Sequence, residues 1–339
     1  MKSTHAGRQS FLFSEPPVIL SYASVAGKKE AEGPLSEFFD LTSRDTRFGE
    51  KSWEKAETKM QKTVLELALQ KSGLKPEDLD GAFMGDLLNQ CVGSSFTLRN
   101  LGIPAFGLYG ACSTMAESLM LGSMAVSGGF CRKALALSSS HFAASERQYR
   151  FPLGYGGQRT PTAQWTVTGA GAVILGSQGS GPRILSATAG TIVDLGITDA
   201  ANMGAAMAPA AYDTILAHFN DLSRAPDYYD LIVTGDLGSL GSEILRELFS
   251  RDGVNLGSRY GDCGVLIFDT DAQDMHCGGS GCGCSASVLC GYLLDRMMRG
   301  EIRNLLFCGT GALLSPLSSQ QGESIPAVCH AVEISAERS

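Results

Sequence analysis

Charge is scarce in this chain of 339 residues. Asp, Glu, Lys and Arg make up 18% of it, against about 25% in typical soluble domains. A chain so poor in charge and 44% hydrophobic is expected to bury a large core rather than stay disordered. Basic residues are outnumbered by acidic ones, 27 to 35, for a formal net charge of −8. That deficit argues against a nucleic-acid footprint or broad attraction to anionic lipid, though not against a local basic pocket. Glycine and proline, 41 and 12 residues, fall well short of the ~25–30% that marks low-complexity chains. Residues 1–17 contain no continuous apolar run, so no secretory signal is read there. Two uncharged windows, 275–294 and 304–322, approach the ~20 residues of a membrane span, but Gly, Ser, Cys, Pro and Gln interrupt both. Each reads as buried elements of a soluble chain. The dense cluster Cys277, Cys282, Cys284 and Cys290 lacks a Cys-x-x-Cys pair and encloses no histidine. Small buried thiols fit it better than a zinc or iron–sulfur site, and without a secretory signal the ten cysteines are expected to be reduced. Neither a metal nor another cofactor is expected.

What is present is alternation. Trp53, Ala56, Met60, Val64, Leu67 and Ala68 recur at helical spacing, predicting a helix from about Ser52 to Ser72 that Gly73 and Pro76 end. Gly81–Gly85 reads as a buried strand, Ile103–Tyr109 as another, and Gly110-Ala111-Cys112-Ser113-Thr114 as a sharp turn. A helix then runs to Ser127 and closes at Gly128-Gly129, before a strand at Ala134–Leu137. Strands alternating with helices imply an α/β fold with parallel pairing and helices on the faces.

The pattern repeats. With Cys112 set over Cys284, an offset of 172 places Gly110-Ala111-Cys112-Ser113 over Cys282-Gly283-Cys284-Ser285. The same register lays Gly128 over Gly300 and Ala134–Ser138 over Leu306–Thr310. A second echo, Gly85-Asp86-Leu87 and Gly235-Asp236-Leu237, lies at an offset of 150. Two matches in the same order, each in a strand–turn–helix context, point to a duplicated α/β half. The expected halves are residues 1–178 and 179–339, with the seam near Gly176–Pro182.

Cys112 opens a predicted helix, where the dipole and free N–H groups lower a thiol's pKa and suit a nucleophile. The alternative is a small residue fitted to a tight turn. Asp86 and Asn89, and Asp236 in the second copy, follow strands at their carboxyl ends, where open α/β sheets place ligands. Both aspartates fit helix caps equally well. Thr310 and Gly311 follow the last strand towards the same face, where a glycine-rich turn can present backbone N–H groups.

Gly110–Thr114 is similar to the nucleophile elbow of the thiolase-like superfamily of condensing enzymes, and Thr168–Gly176 looks like the strand closing its first half. More specifically, stretches from end to end resemble the stage V sporulation protein AD family of endospore-forming bacteria. They include K-S-W-E at Lys51, G-D-L-L-N-Q at Gly85, A-S-E-R-Q-Y-R-F-P at Ala144, D-L-G-I-T-D at Asp194, M-A-P-A-A at Met207 and G-A-L-L-S-P at Gly311. The resemblance implies a thiolase-like fold of two duplicated halves in αβαβα layers. It also implies binding of pyridine-2,6-dicarboxylate (dipicolinic acid), or its calcium chelate, for uptake into the developing spore. The implied partners are the other SpoVA proteins at the forespore inner membrane, which this chain would reach only through them. A homodimer is expected by analogy alone.

In condensing enzymes the thiolate works with two His, or a His and an Asn, from second-half loops. Here the first falls at Thr234 or Gly235 and the second at about Cys282, and neither can replace an imidazole or an amide donor. Of the five histidines only His141 is expected at the mouth of the pocket. One Cys and one His fall short of a condensing site, so the residues favour a binder over an enzyme, with acyl transfer through Cys112 and a purely docking scaffold as the rivals. A dianionic aromatic guest needs cationic forks and a flat wall. Arg147 and Arg150, with Arg159 beyond them and Tyr149 or Phe151 as the wall, are the richest candidates; a solvated loop is the alternative. Lys28-Lys29 is a weaker one. Asp86 and Asp236 together could hold an accompanying calcium, though no EF-hand spacing is present.

Overall fold

The chain, described here by a computed structural model over residues 4–149 and 159–336, lays down the same five-strand pattern twice. In the first half the strands are β1 (Val18–Ala26), β2 (Gly81–Asp86), β3 (Ala105–Gly107), β4 (Lys133–Ser140) and β5 (Gly169–Gly176). Their order is β1-β5-β4-β2-β3, with β2 parallel to β3 and β4, and β5 antiparallel to both β4 and β1. The second half has β6 (Arg183–Thr188), β7 (Leu231–Thr234), β8 (Tyr260–Asp262), β9 (Asn304–Ala312) and β10 (Ala327–Ser335). Its order, β6-β10-β9-β7-β8, and its strand directions repeat the first. The two sheets meet where Arg183 lies opposite Val18, with Ile19 N–H donating to Pro182 O at 2.8 Å and Ile184 N–H donating to Pro17 O at 2.9 Å.

Helices fill three layers. Helix α1 (Trp53–Ser72) starts where Ser52 Oγ accepts from the Lys55 N–H at 3.4 Å and stops at Gly73, whose φ of 69° is the left-handed turn that glycine adopts without penalty. Its Ala56, Met60, Val64, Leu65, Ala68 and Leu69 are buried against the outer face of the first sheet, beside α2 (Val92–Leu98). Helix α4 (Phe142–Tyr149) follows β4, and in the second half α5 (Met203–Leu222) and α6 (Gly238–Arg251) cover the other outer face. Between the sheets lie α3 (Thr114–Ser127) and α7 (Cys282–Val288), each packed on strands of both halves. The expected αβαβα thiolase-like layering is therefore present, and one apolar cluster runs through its centre, from Phe83 and Ala134 to Phe307 and Ile334.

The repeat register differs from the ungapped 172. The strand pairs Gly81–Ala134 and Leu231–Leu305 occupy equivalent places, which sets β4 and β9 171 residues apart. The left-handed glycines closing the two central helices are Gly129 and Gly300, both at φ 76°. At the other end of those helices the positive-φ residues are Ala111 and Gly281, 170 apart, so Cys112 is matched by Cys282 and not by Cys284. A π-helical turn at Leu289–Leu293 takes up the extra residue inside the second copy. Because an insertion within a helix leaves no trace in composition, no single ungapped offset fits both ends of the copy.

The strand expected over Ile103–Tyr109 is shorter, Ala105–Gly107, and all three of its residues are exposed at the sheet's edge. Residues 10–12 pair not with the first half but with β6.

Candidate functional site

The site grows from the turn joining β3 to α3. Ala111 stands at φ 50°, a left-handed conformation costing an L-residue roughly 1–2 kcal/mol. Three bonds hold it there: Ser113 Oγ donates to Gly110 O at 2.7 Å, Thr114 Oγ1 donates to Ala111 O at 2.6 Å, and Gly110 N–H donates to Thr114 Oγ1 at 3.2 Å. Strand β9 presses on the turn from the second half. A β-carbon on Gly311 would lie 2.3 Å from Gly110 O, so only glycine fits this approach. Thr310 and Gly311 thus hold the elbow rather than presenting N–H groups to a guest.

Cys112 is buried at the elbow, within the electrostatic reach of the Asp236 carboxylate. Asp236 accepts from Thr310 Oγ1 at 2.8 Å and from Gly281 N–H at 2.8 Å, and Ser280 Oγ lies at 3.3 Å. Burial, then the Asp236 charge, push the Cys112 thiol well above its ordinary range. Burial likewise lifts Asp236 to about 6, against the donors that favour its ionised form. Desolvation and a neighbouring anion thus act against the pull of the helix N-terminus towards a thiolate. Cys282 closes the far side, its Sγ donating to Ser139 O at 2.9 Å, and it packs with Leu87 against Cys112. At Gly235 a β-carbon would already lie 3.1 Å from Thr310 N and 3.3 Å from Ser285 Cβ, which leaves no room for an imidazole. Among the described residues no side-chain nitrogen is hydrogen-bonded to Cys112.

In front of the thiol lies a cavity of about 40 Å³, lined by Leu87, Tyr109, Glu146, Tyr149, Met203 and Leu314 among others. It is smaller than the ~150 Å³ that admits a benzene-sized guest. Tyr149 OH donates to Leu87 O at 2.6 Å and is hydrogen-bonded to Tyr109 OH, and Glu146 Oε1 accepts from Thr166 Oγ1 at 2.8 Å.

The other candidates scatter. Asp86 is occupied as a cap by Leu88 N–H, Ser94 N–H and Ser94 Oγ at 3.0, 2.8 and 2.6 Å. Asn89 is exposed and gives its N–H to Gln148 Oε1. His141 is buried, its Nε2 2.7 Å from Thr46 O, and burial lowers its pKa; it does not line the cavity. Arg147 pairs with Glu54 and lies over Trp53, while Arg159 binds Asp274 and lies over Trp165. Neither guanidinium reaches the cavity, since each has a nearer anion and an aromatic face. Arg150 and Phe151 lie outside the described residues. Met203 and Leu314 give no signal in the sequence because each sits in an ordinary apolar or helical stretch, and Glu146 reads there only as a partner for the neighbouring arginines; Leu314 alone lies just past a strand's carboxyl end. Among the described residues no group of three or more His, Cys, Asp or Glu could hold a metal, and no helix is long and apolar enough to cross a membrane.

The fold and elbow define the class. The chain superposes on 3-oxoacyl-[acyl-carrier-protein] synthase III of Aquifex aeolicus with a TM-score of 0.59, covering 94% of this chain and 99% of that one at 14% identity. On OleA E117Q of Xanthomonas campestris the TM-score is 0.61, with 98% and 100% covered, again at 14% identity. That likeness establishes a thiolase-like fold. The model for stage V sporulation protein AD matches residues 7–335, and the chain belongs to that family. It is 45% identical over 326 residues, 96% of either chain, to stage V sporulation protein AD of Bacillus subtilis (strain 168).

Proposed function

We propose that this chain binds dipicolinic acid, or its calcium chelate, at the elbow cavity without transforming it, and serves its uptake into the developing spore. In that reading its partners are the other SpoVA proteins at the forespore inner membrane. The observation that carries the non-catalytic part is the Asp236 charge near Cys112: acyl chemistry needs there a neutral base, such as an imidazole, that turns cationic on taking the proton, whereas a carboxylate opposes the thiolate. Tyr109 and Tyr149 supply an aromatic wall for a flat ring. The ring exceeds the present cavity, so the lining must part to admit it. Calorimetric titration with pyridine-2,6-dicarboxylate, with and without calcium, tests this against pyridine-2-carboxylate. Saturable preference for the dicarboxylate is expected; its absence removes the proposal.

The elbow itself favours a second reading, acyl transfer through Cys112. The strained Ala111 and the helix start behind the sulfur are the geometry of a nucleophile turn. Incubation with acyl-coenzyme A and intact-mass analysis decides it: an adduct lost in Cys112→Ala supports transfer, and an unmodified mass opposes it.

A further inference from the structure

Three large aliphatic side chains stand out on the second half at the end of the sheet where the cavity opens: Ile192 at 61% exposure, Leu195 at 70% and Leu317 at 67%. Ile192 and Leu195 belong to the segment 189–202 between β6 and α5, and Leu317 to the excursion 313–326 between β9 and β10. The two segments are stitched together. Val193 and Ala327 exchange N–H···O bonds at 2.9 and 2.8 Å, Ile325 N–H donates to Ile197 O at 2.7 Å, and Ser324 Oγ donates to Asp194 Oδ2 at 2.5 Å. Exposure here is thus built into a fixed surface, not a consequence of loose chain. Isolated exposed aliphatics need no explanation, but several on one braced surface mark a contact site.

Within the two segments the charge has one sign. Residues 184–223 and 304–336 contain no lysine or arginine, while Asp194, Asp199 and Glu323 are exposed beside the aliphatics. We propose that this face docks a protein segment that carries apolar side chains flanked by lysines or arginines. An anionic lipid surface would be repelled by the three carboxylates, and a two-fold contact with a second copy would set acid against acid. Met203 and Leu314, which adjoin the two segments in the chain, line the cavity, so the docked segment would also lie near any guest held there. The inference rests on the surface alone and stands whether or not the cavity binds a dicarboxylate.

The test uses the full chain and a synthetic amphipathic helix with leucines at i, i+3, i+4 and i+7 among lysines, followed by fluorescence anisotropy. Leu195→Ser with Leu317→Ser, and separately the neutralised triple Asp194→Asn, Asp199→Asn and Glu323→Gln, are each expected to weaken binding by about tenfold. The amide replacements keep the oxygens that Gly196 N–H and Ala201 N–H use. Phe130→Ser, at an 86%-exposed residue before β4, should leave affinity unchanged, and a glutamate version of the peptide should not bind. Affinity insensitive to both variant sets, or equally lowered by Phe130→Ser, overturns the proposal. Preference for phosphatidylglycerol vesicles over the peptide, or a dimer abolished by Leu195→Ser, overturns it too.

Discussion

A carboxylate beside a thiol makes the thiolate harder to form, because two negative charges would share one desolvated site. Asp236 does this to Cys112, adding its charge to the effect of burial. Asp236→Asn keeps the side chain's shape and removes the charge, so the Cys112 pKa is expected to fall. Methylthiolation of Cys112 by methyl methanethiosulfonate, located by mass mapping, should then run faster in the variant at a fixed pH near 8. Equal rates would mean that burial alone sets the thiol. Cys112 and Asp236 were legible in the sequence because each sits at a strand–helix turn with its own short motif. What Asp236 does there was not legible, since its partners Thr310 and Gly281 come from elements far along the chain. Arg147 and His141 illustrate the converse: their residue types suited a pocket, but Glu54 and the Thr46 carbonyl claim them. Sequence proximity to the right strand does not decide which way a side chain turns.

The two elbows are the same element built with different residues. Ala111 and Gly281 both take positive φ before a cysteine that starts a central helix. Glycine tolerates that conformation and alanine does not. Ala111→Gly is therefore expected to raise stability by about 0.5–1 kcal/mol, read as a small rise in the urea midpoint. Gly281→Ala should lower it by more, because its new β-carbon would lie 2.7 Å from Ser140 Oγ as well as adopting φ 98°. A neutral or stabilising Gly281→Ala would show that the second elbow is free to relax. At this scale the long helix, the elbow and most strands could be read from periodicity and glycine placement. The edge strand β3 could not, because its length is set by the partner β2 beside it rather than by its own residues.

Across the whole molecule, residues 10–12 tie the first half to the second. Ser10 Oγ, in the strand that pairs with β6, donates to Asp221 Oδ2 at 2.9 Å and meets Thr188 Oγ1 at 2.8 Å. Thr188 Oγ1 lies 2.7 Å from His218 Nδ1, and His218 Nε2 lies 2.6 Å from Tyr229 OH. Burial and the nearby Arg224 hold this imidazole neutral, with its pKa lowered to about 3. In the unfolded chain it titrates near ~6.5, so its contribution is complete above that pH and is lost as the pH falls towards 3. The stability gap between wild type and His218→Gln should accordingly narrow from pH 7 to pH 5, measured by urea denaturation; a constant gap would refute the assignment.

The π-helical turn at Leu289–Leu293 separates two anchor points of the second central helix, its elbow at Gly281 and its closing Gly300. One additional residue was accommodated between these posts while Gly300 kept the φ of Gly129, and Gly281, like Ala111, kept a positive φ. A length change absorbed mid-span marks the ends as the guarded positions: one seats a sulfur, the other turns the chain into a buried strand. Divergence of the twin modules thus ran through the one stretch where a kink displaces neither.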